Sequence, residues 1–204
     1  MTNDRRALVS ELLPKKGRRK TRIGLVAGGL GAYWPQFPKL LPQLQESAGF
    51  VRDRFKSLEA EVIDVGFISD PEEGAVAAEK LRQADVDLVV IFLATYLTSN
   101  MVLPIAQRAA APVLIIDLQP TESMDHETFD TGAWLAYCGQ CSVPEFGNLF
   151  RRAGIPFRSV SGFLRDQPAW RRIDQWIAAT KVRGGLGQAR PGLVSQRYPG
   201  VLDC

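Results

Sequence analysis

Between Asp87 and Pro120 the chain carries two unbroken apolar runs, Leu88-Val89-Val90-Ile91-Phe92-Leu93 and Val113-Leu114-Ile115-Ile116. A strand without polar alternation needs cover on both faces, as in the middle of a parallel sheet. The polar turn Ala94-Thr95-Tyr96-Leu97-Thr98-Ser99-Asn100 separates the runs and leads into Met101, Val102, Ile105, Ala106 and Ala109, which line one face of a short helix that Pro112 ends. Parallel neighbours need such a crossover, so the segment predicts one βαβ unit. Ligands of open parallel sheets lie beyond the carboxyl ends of the strands, here at Thr95-Tyr96 and Asp117-Leu118-Gln119.

The same alternation extends in both directions. Ile23 to Ala27 reads as a first strand, ending in Gly28-Gly29-Leu30-Gly31-Ala32-Tyr33-Trp34. A dinucleotide fingerprint started at Gly29 would need glycine or alanine where Trp34 stands, and Pro35 and Pro38 bar a helix directly behind it. These glycines instead suit a tight loop over the sheet end, with Tyr33 and Trp34 presented to a ligand or a partner subunit. Leu41, Leu44, Ala48, Val51, Phe55 and Leu58 predict a long amphipathic helix, and Glu61 to Val65 a second strand. Asp70-Pro71-Glu72-Glu73 opens a helix running to about Ala84, with an N-cap, proline at the first position and acids at the positive dipole end.

Ser142-Val143-Pro144-Glu145 has the form of a capping box, for a helix that stops at Gly154. Phe157 to Ser161 reads as a fifth strand, and Asp166 as the start of a last helix carrying Trp170, Ile173, Trp176 and Ile177 on one side. Five strands alternating with helices predict an α/β fold: a doubly wound, flavodoxin-like five-stranded parallel sheet with helices on both faces.

A chain of 204 residues with 46% hydrophobic content can bury a full core. No stretch of eighteen apolar residues exists and no apolar segment follows the polar start, so neither a membrane partner nor secretion is expected, and a cytoplasmic location is. Three cysteines suit a reducing compartment. The net charge of +3 is the sum of +6 over residues 1–22, −6 over the middle and +3 over 181–204. The basic residues thus sit in a Gly-containing leader and not on the fold, so a nucleic-acid partner is not expected. The expected organisation is a basic flexible leader over 1–21, the sheet domain over 22–180, and a Gly-rich linker with the truncated start of a second domain over 181–204.

Beyond Gln119 lies a long loop with Glu122, Asp125, His126, Glu127 and Asp130, then Trp134, Tyr137 and Cys138-Gly139-Gln140-Cys141. The C-x-x-C spacing fits a redox pair or half a zinc site, but no second C-x-x-C or H-x-x-x-H completes a zinc set, and ordinary thiols are the third reading. His126 is the sole histidine, flanked by acids, and no serine occupies a G-x-S-x-G elbow. No catalytic residue and no metal ligand is assigned.

Gly31-Ala32-Tyr33-Trp34-Pro35-Gln36-Phe37-Pro38, Ala94-Thr95-Tyr96-Leu97-Thr98-Ser99, Asp117-Leu118-Gln119-Pro120-Thr121, Asp130-Thr131-Gly132 and Val143-Pro144-Glu145-Phe146 together resemble the N-terminal region of the L-arabinose isomerase and L-fucose isomerase family, in particular its arabinose-isomerase-like members. The likeness starts at about Ile23 and includes Tyr198-Pro199-Gly200-Val201-Leu202-Asp203, similar to the family's Y-P-G-M-L-D stretch. The resemblance implies an aldose–ketose isomerase of carbohydrate metabolism that uses Mn²⁺, with the metal glutamates and histidines in later domains and no metal held by this chain. It implies that the first domain covers the active site of an adjacent subunit, which places Tyr33, Trp34, Thr95, Tyr96 and Gln119 near a sugar substrate. The sequence departs from arabinose isomerases proper at Ala94-Thr95 and at Asp117-Leu118-Gln119, where they carry histidine.

Two functional expectations follow. The first is the N-terminal substrate-covering and oligomer-forming domain of a sugar isomerase; the alternative is a non-catalytic flavodoxin-like module binding a sugar or an anion. The aromatics at Tyr33-Trp34 and Trp134-Tyr137 are expected to stay partly wet and to mediate self-association, unless they fold back into the core.

Overall fold

In a computed structural model that describes residues 19–125, 127, 129–187 and 189, the central run becomes the middle strand of five. The strands are β1 (Arg22–Gly28), β2 (Glu61–Ile68), β3 (Leu88–Leu93), β4 (Val113–Gln119) and β5 (Phe157–Phe163). They pair in the order β2-β1-β3-β4-β5, every pair parallel. Every residue of β3 is buried, and all of β4 but Gln119, as an unbroken apolar run requires.

The helices are α1 (Leu40–Lys56), α2 (Pro71–Ala84), α3 (Ser99–Ala109), the short α4 (Thr131–Leu135), α5 (Ser142–Arg152) and α6 (Gln167–Gly187). One face of the sheet is covered by α1, through Leu44, Val51 and Phe55, and by α6, through Trp170, Ile173 and Ile177. The other is covered by α2, α3 and α5, whose Leu81, Ile105, Phe146 and Phe150 meet Val89, Ile91 and Ile115. The fold is therefore the doubly wound, flavodoxin-like one that the alternation predicts. Each fully buried Phe or Ile removes apolar surface worth about 1.5–3 kcal/mol, so the two layers, and no single contact, hold the sheet.

Local chemistry explains most boundaries. Asp70 caps α2 as expected, its Oδ1 accepting from Glu73 N at 2.8 Å, and Glu73 Oε2 accepts from Ser69 N at 2.6 Å. Asp130 caps α4 the same way, accepting from Ala133 N at 2.7 Å. Three expectations change. Leu40, not Leu41, is the buried residue at the head of α1. Trp176 is 39% exposed, off the buried stripe of α6. α6 also continues past Lys181 through Gly184 and Gly185 to Gly187, so the Gly-rich stretch assigned to a linker begins as helix. The basic leader through Arg18, His126, and Tyr198 to Cys204 lie outside the described residues.

Candidate functional site at the carboxyl ends of the strands

The loop after β1 is stitched to both neighbours. Gly29 N donates to Ile68 O at 3.0 Å and Gly31 N to Ser69 O at 3.0 Å, on the β2 side, while Leu30 N donates to Tyr96 O at 2.9 Å, on the β3 side. A Cβ at Gly29 would collide with the Thr95 methyl, so only glycine lets the loop lie this close. A 3-10 turn, Gly31–Tyr33, follows where a dinucleotide-binding helix would have to begin. Tyr33 is half-buried, and the half-buried Trp34 packs its ring on Phe67 at 6.2 Å. The indole N–H of Trp34 is enclosed without a partner among the described residues.

Thr95 is fully buried, and its hydroxyl donates to Leu135 O at 2.6 Å. It fastens α4 to the end of β3 and supports the site without lining it. Tyr96 is half-buried and donates its hydroxyl to Glu145 Oε2 at 2.9 Å. Glu145 Oε1 accepts from Ser99 N at 2.9 Å, so a carboxylate on α5 serves the positive N-terminus of α3. Burial works against that charge, but the hydrogen bonds from Ser99 and Tyr96 outweigh it and hold Glu145 below the usual glutamate range. The bond to Glu145, then burial, raises the Tyr96 phenol. Burial, with the Cys138 and Cys141 thiols behind it, raises Tyr33.

The expected capping box does not form. Ser142 is the first residue of α5, and its hydroxyl accepts from Leu97 N and donates to Leu97 O, both at 2.9 Å. Ser142 and Glu145 thus bind the β3–α3 loop across space, because a preceding 3-10 turn, Cys138–Cys141, feeds the chain directly into α5. That turn lies over the ends of β3 and β4: a Cβ at Gly139 would stand 2.5 Å from Leu93 O and 3.0 Å from Asp117 Oδ1. Cys138 is buried and Cys141 exposed, both as free thiols. Burial pushes Cys138 up to about 11, opposite to the direction an attacking thiolate needs.

Gln119 ends β4 on the far side of this turn. It lines an open cleft of about 540 Å³ with Asp117, Thr121, Gln140, Ser161 and Phe163. Asp117 is 4% exposed, and its register partner Ser161 donates to its carboxylate. Burial, only partly offset by that bond, pushes Asp117 up to about 6. The structure therefore separates the sequence-derived residues: Tyr33, Trp34 and Tyr96 gather on the β1–β3 side, Gln119 faces the β4–β5 cleft, and Thr95 lies beneath. Glu145, which the sequence offered only as part of a cap, lies in the first half, and Asp117, placed by the sequence only at a strand end, lines the cleft of the second together with Glu122.

The expected wet aromatic patch is smaller than the sequence suggests. Tyr137 is 9% exposed, its ring against Phe129 at 5.3 Å and its hydroxyl 2.6 Å from Thr121 Oγ1. Trp134 alone of this group is substantially exposed, at 49%.

Fold and site together define a flavodoxin-like α/β domain with a polar carboxyl-end surface. No family model matches the chain, and no curated protein matches it. Among the described residues no helix is long and apolar enough to cross a membrane.

Proposed function

We propose that this domain binds a small neutral sugar at the carboxyl ends of its strands and forms the substrate-covering, oligomer-forming part of an aldose–ketose isomerase, as its motifs imply. The observation that carries the reading is the cleft lined by Asp117, Gln119, Thr121, Gln140 and Ser161. Amides and hydroxyls both donate and accept, as sugar hydroxyls do, and Phe163 supplies an apolar surface for a ring face. Tyr33 and Tyr96, across the Cys138–Cys141 turn, extend the polar surface toward an adjoining subunit.

Among the described residues no group of three or more His, Cys, Asp or Glu side chains could hold a metal ion. The Mn²⁺ that the resemblance implies belongs with the glutamates and histidines of later domains, and no step here runs through it. One observation favours a non-catalytic binding module: Thr95, Tyr96 and Ser142 are each tied to Leu135, Glu145 or Leu97, which makes this side of the surface preorganised and leaves its hydroxyls engaged in holding the loops. Calorimetric titration of the 204-residue chain with neutral pentoses and hexoses tests the shared claim. Saturable sugar binding supports it, whereas binding of phosphate or sulfate in place of sugars contradicts the isomerase reading and leaves an anion-binding module.

A further inference from the structure

The opposite pole of the sheet holds a second cavity, chemically unlike the first. α6 packs on the sheet through Trp170, Ile173 and Ile177. Farther along, a crevice of about 350 Å³ opens between its residues Trp176, Ala179 and Arg183 and the amino-end residues Leu114, Phe157 and Arg158. That volume lies at the small end of the range for ligand pockets.

The wall is mostly hydrocarbon and aromatic, so a polyol would lose its hydration there without replacement hydrogen bonds. The charged groups of the lining are Arg158 and Arg183, and no carboxylate is among the lining residues described. The Arg158 guanidinium stands 5.5 Å from the centre of the Trp176 ring and donates one N–H to Phe157 O at 2.8 Å, which leaves its other donors for a ligand. Neither arginine is ion-paired with a described residue. A planar fork of donors suits a carboxylate better than a point charge does.

We propose that this crevice binds a small amphipathic carboxylate, its alkyl or aromatic body against Leu114, Phe157 and Trp176 and its head between Arg158 and Arg183. The site is independent of the carboxyl-end cleft and of the sugar reading.

The test is NMR titration of the full chain with octanoate, octanol and octylammonium, each below its micellar concentration, following the Trp176 indole and the Leu114 methyls. Octanoate is expected to shift these signals saturably and to bind at least tenfold more tightly than octanol or octylammonium. An Arg158→Gln, Arg183→Gln double variant should bring octanoate down to the octanol level and leave octanol binding unchanged; both arginines are exposed, so the fold should persist. Equal affinity for octanoate and octanol in the unaltered chain, shifts centred elsewhere, or no shift at saturating ligand overturns the proposal. So does a Trp176 signal that moves with protein concentration alone, which would mean that a second copy covers this face.

Discussion

The Tyr96 hydroxyl lies 2.9 Å from Glu145 Oε2, joining the loop after β3 to a helix that starts over forty residues later. Because the acceptor is charged and the pair is half-buried, this bond is worth about 1–2 kcal/mol. Tyr96→Phe should lower unfolding free energy by about that amount in urea melts. The lowered Glu145 pKa stabilises the fold above the unfolded glutamate pKa, and that contribution fades as pH falls through the folded value. Glu145→Gln should therefore cost most at neutral pH and little in acid; an equal loss at both would contradict the assignment.

Asp117 should act with the opposite sign. Its folded pKa of about 6 stands above the unfolded value near 3.8, so its contribution is fully present below about pH 4 and lost as pH rises through 6. A shift of this size corresponds to roughly 3 kcal/mol at most. Asp117→Asn should gain stability relative to the unaltered chain between pH 4 and pH 7.5. Parallel stability curves for the two proteins across that window would rule out a buried carboxylate whose pKa is raised by burial.

Ser142 separates a clasp from a cap. A plain N-cap serine replaced by alanine costs about 1 kcal/mol and frays its own helix. Here Ser142→Ala strands the Leu97 N–H, so about 1–3 kcal/mol and faster hydrogen exchange at Leu97 are expected, with the α5 amides little changed. Exchange rising only in the first turn of α5 would restore the capping-box reading.

The layer order was legible because β3 and β4 are buried on both faces and carry no polar residue until Asp117. The role of Ser142 and Glu145 was not, since a pattern four residues long fits a local cap and a clasp to a distant loop equally well. Tyr137 misled for a similar reason: an aromatic in a long loop looks exposed until Thr121 and Phe129 close over it. The end of α6 was hidden by Gly184 and Gly185, whose low helix propensity costs about 1 kcal/mol each and is overridden in the fold.

Self-association through the carboxyl-end face should depend on Trp134, the most exposed aromatic there among the described residues. Trp134→Ala should reduce the mass seen by light scattering and leave the far-UV spectrum unchanged. Unaltered mass, or a monomeric parent at high concentration, contradicts an interface on this face.

Sugar binding in the β4–β5 cleft is tested most directly by NMR of the side-chain amides of Gln119 and Gln140 during titration with neutral aldoses and ketoses. Saturable shifts at both amides are expected, with Gln119→Leu weakening binding about tenfold, as the loss of one or two neutral hydrogen bonds implies. Amide signals that stay fixed while sugar is present at tens of millimolar, or shifts that Gln119→Leu leaves untouched, would contradict it.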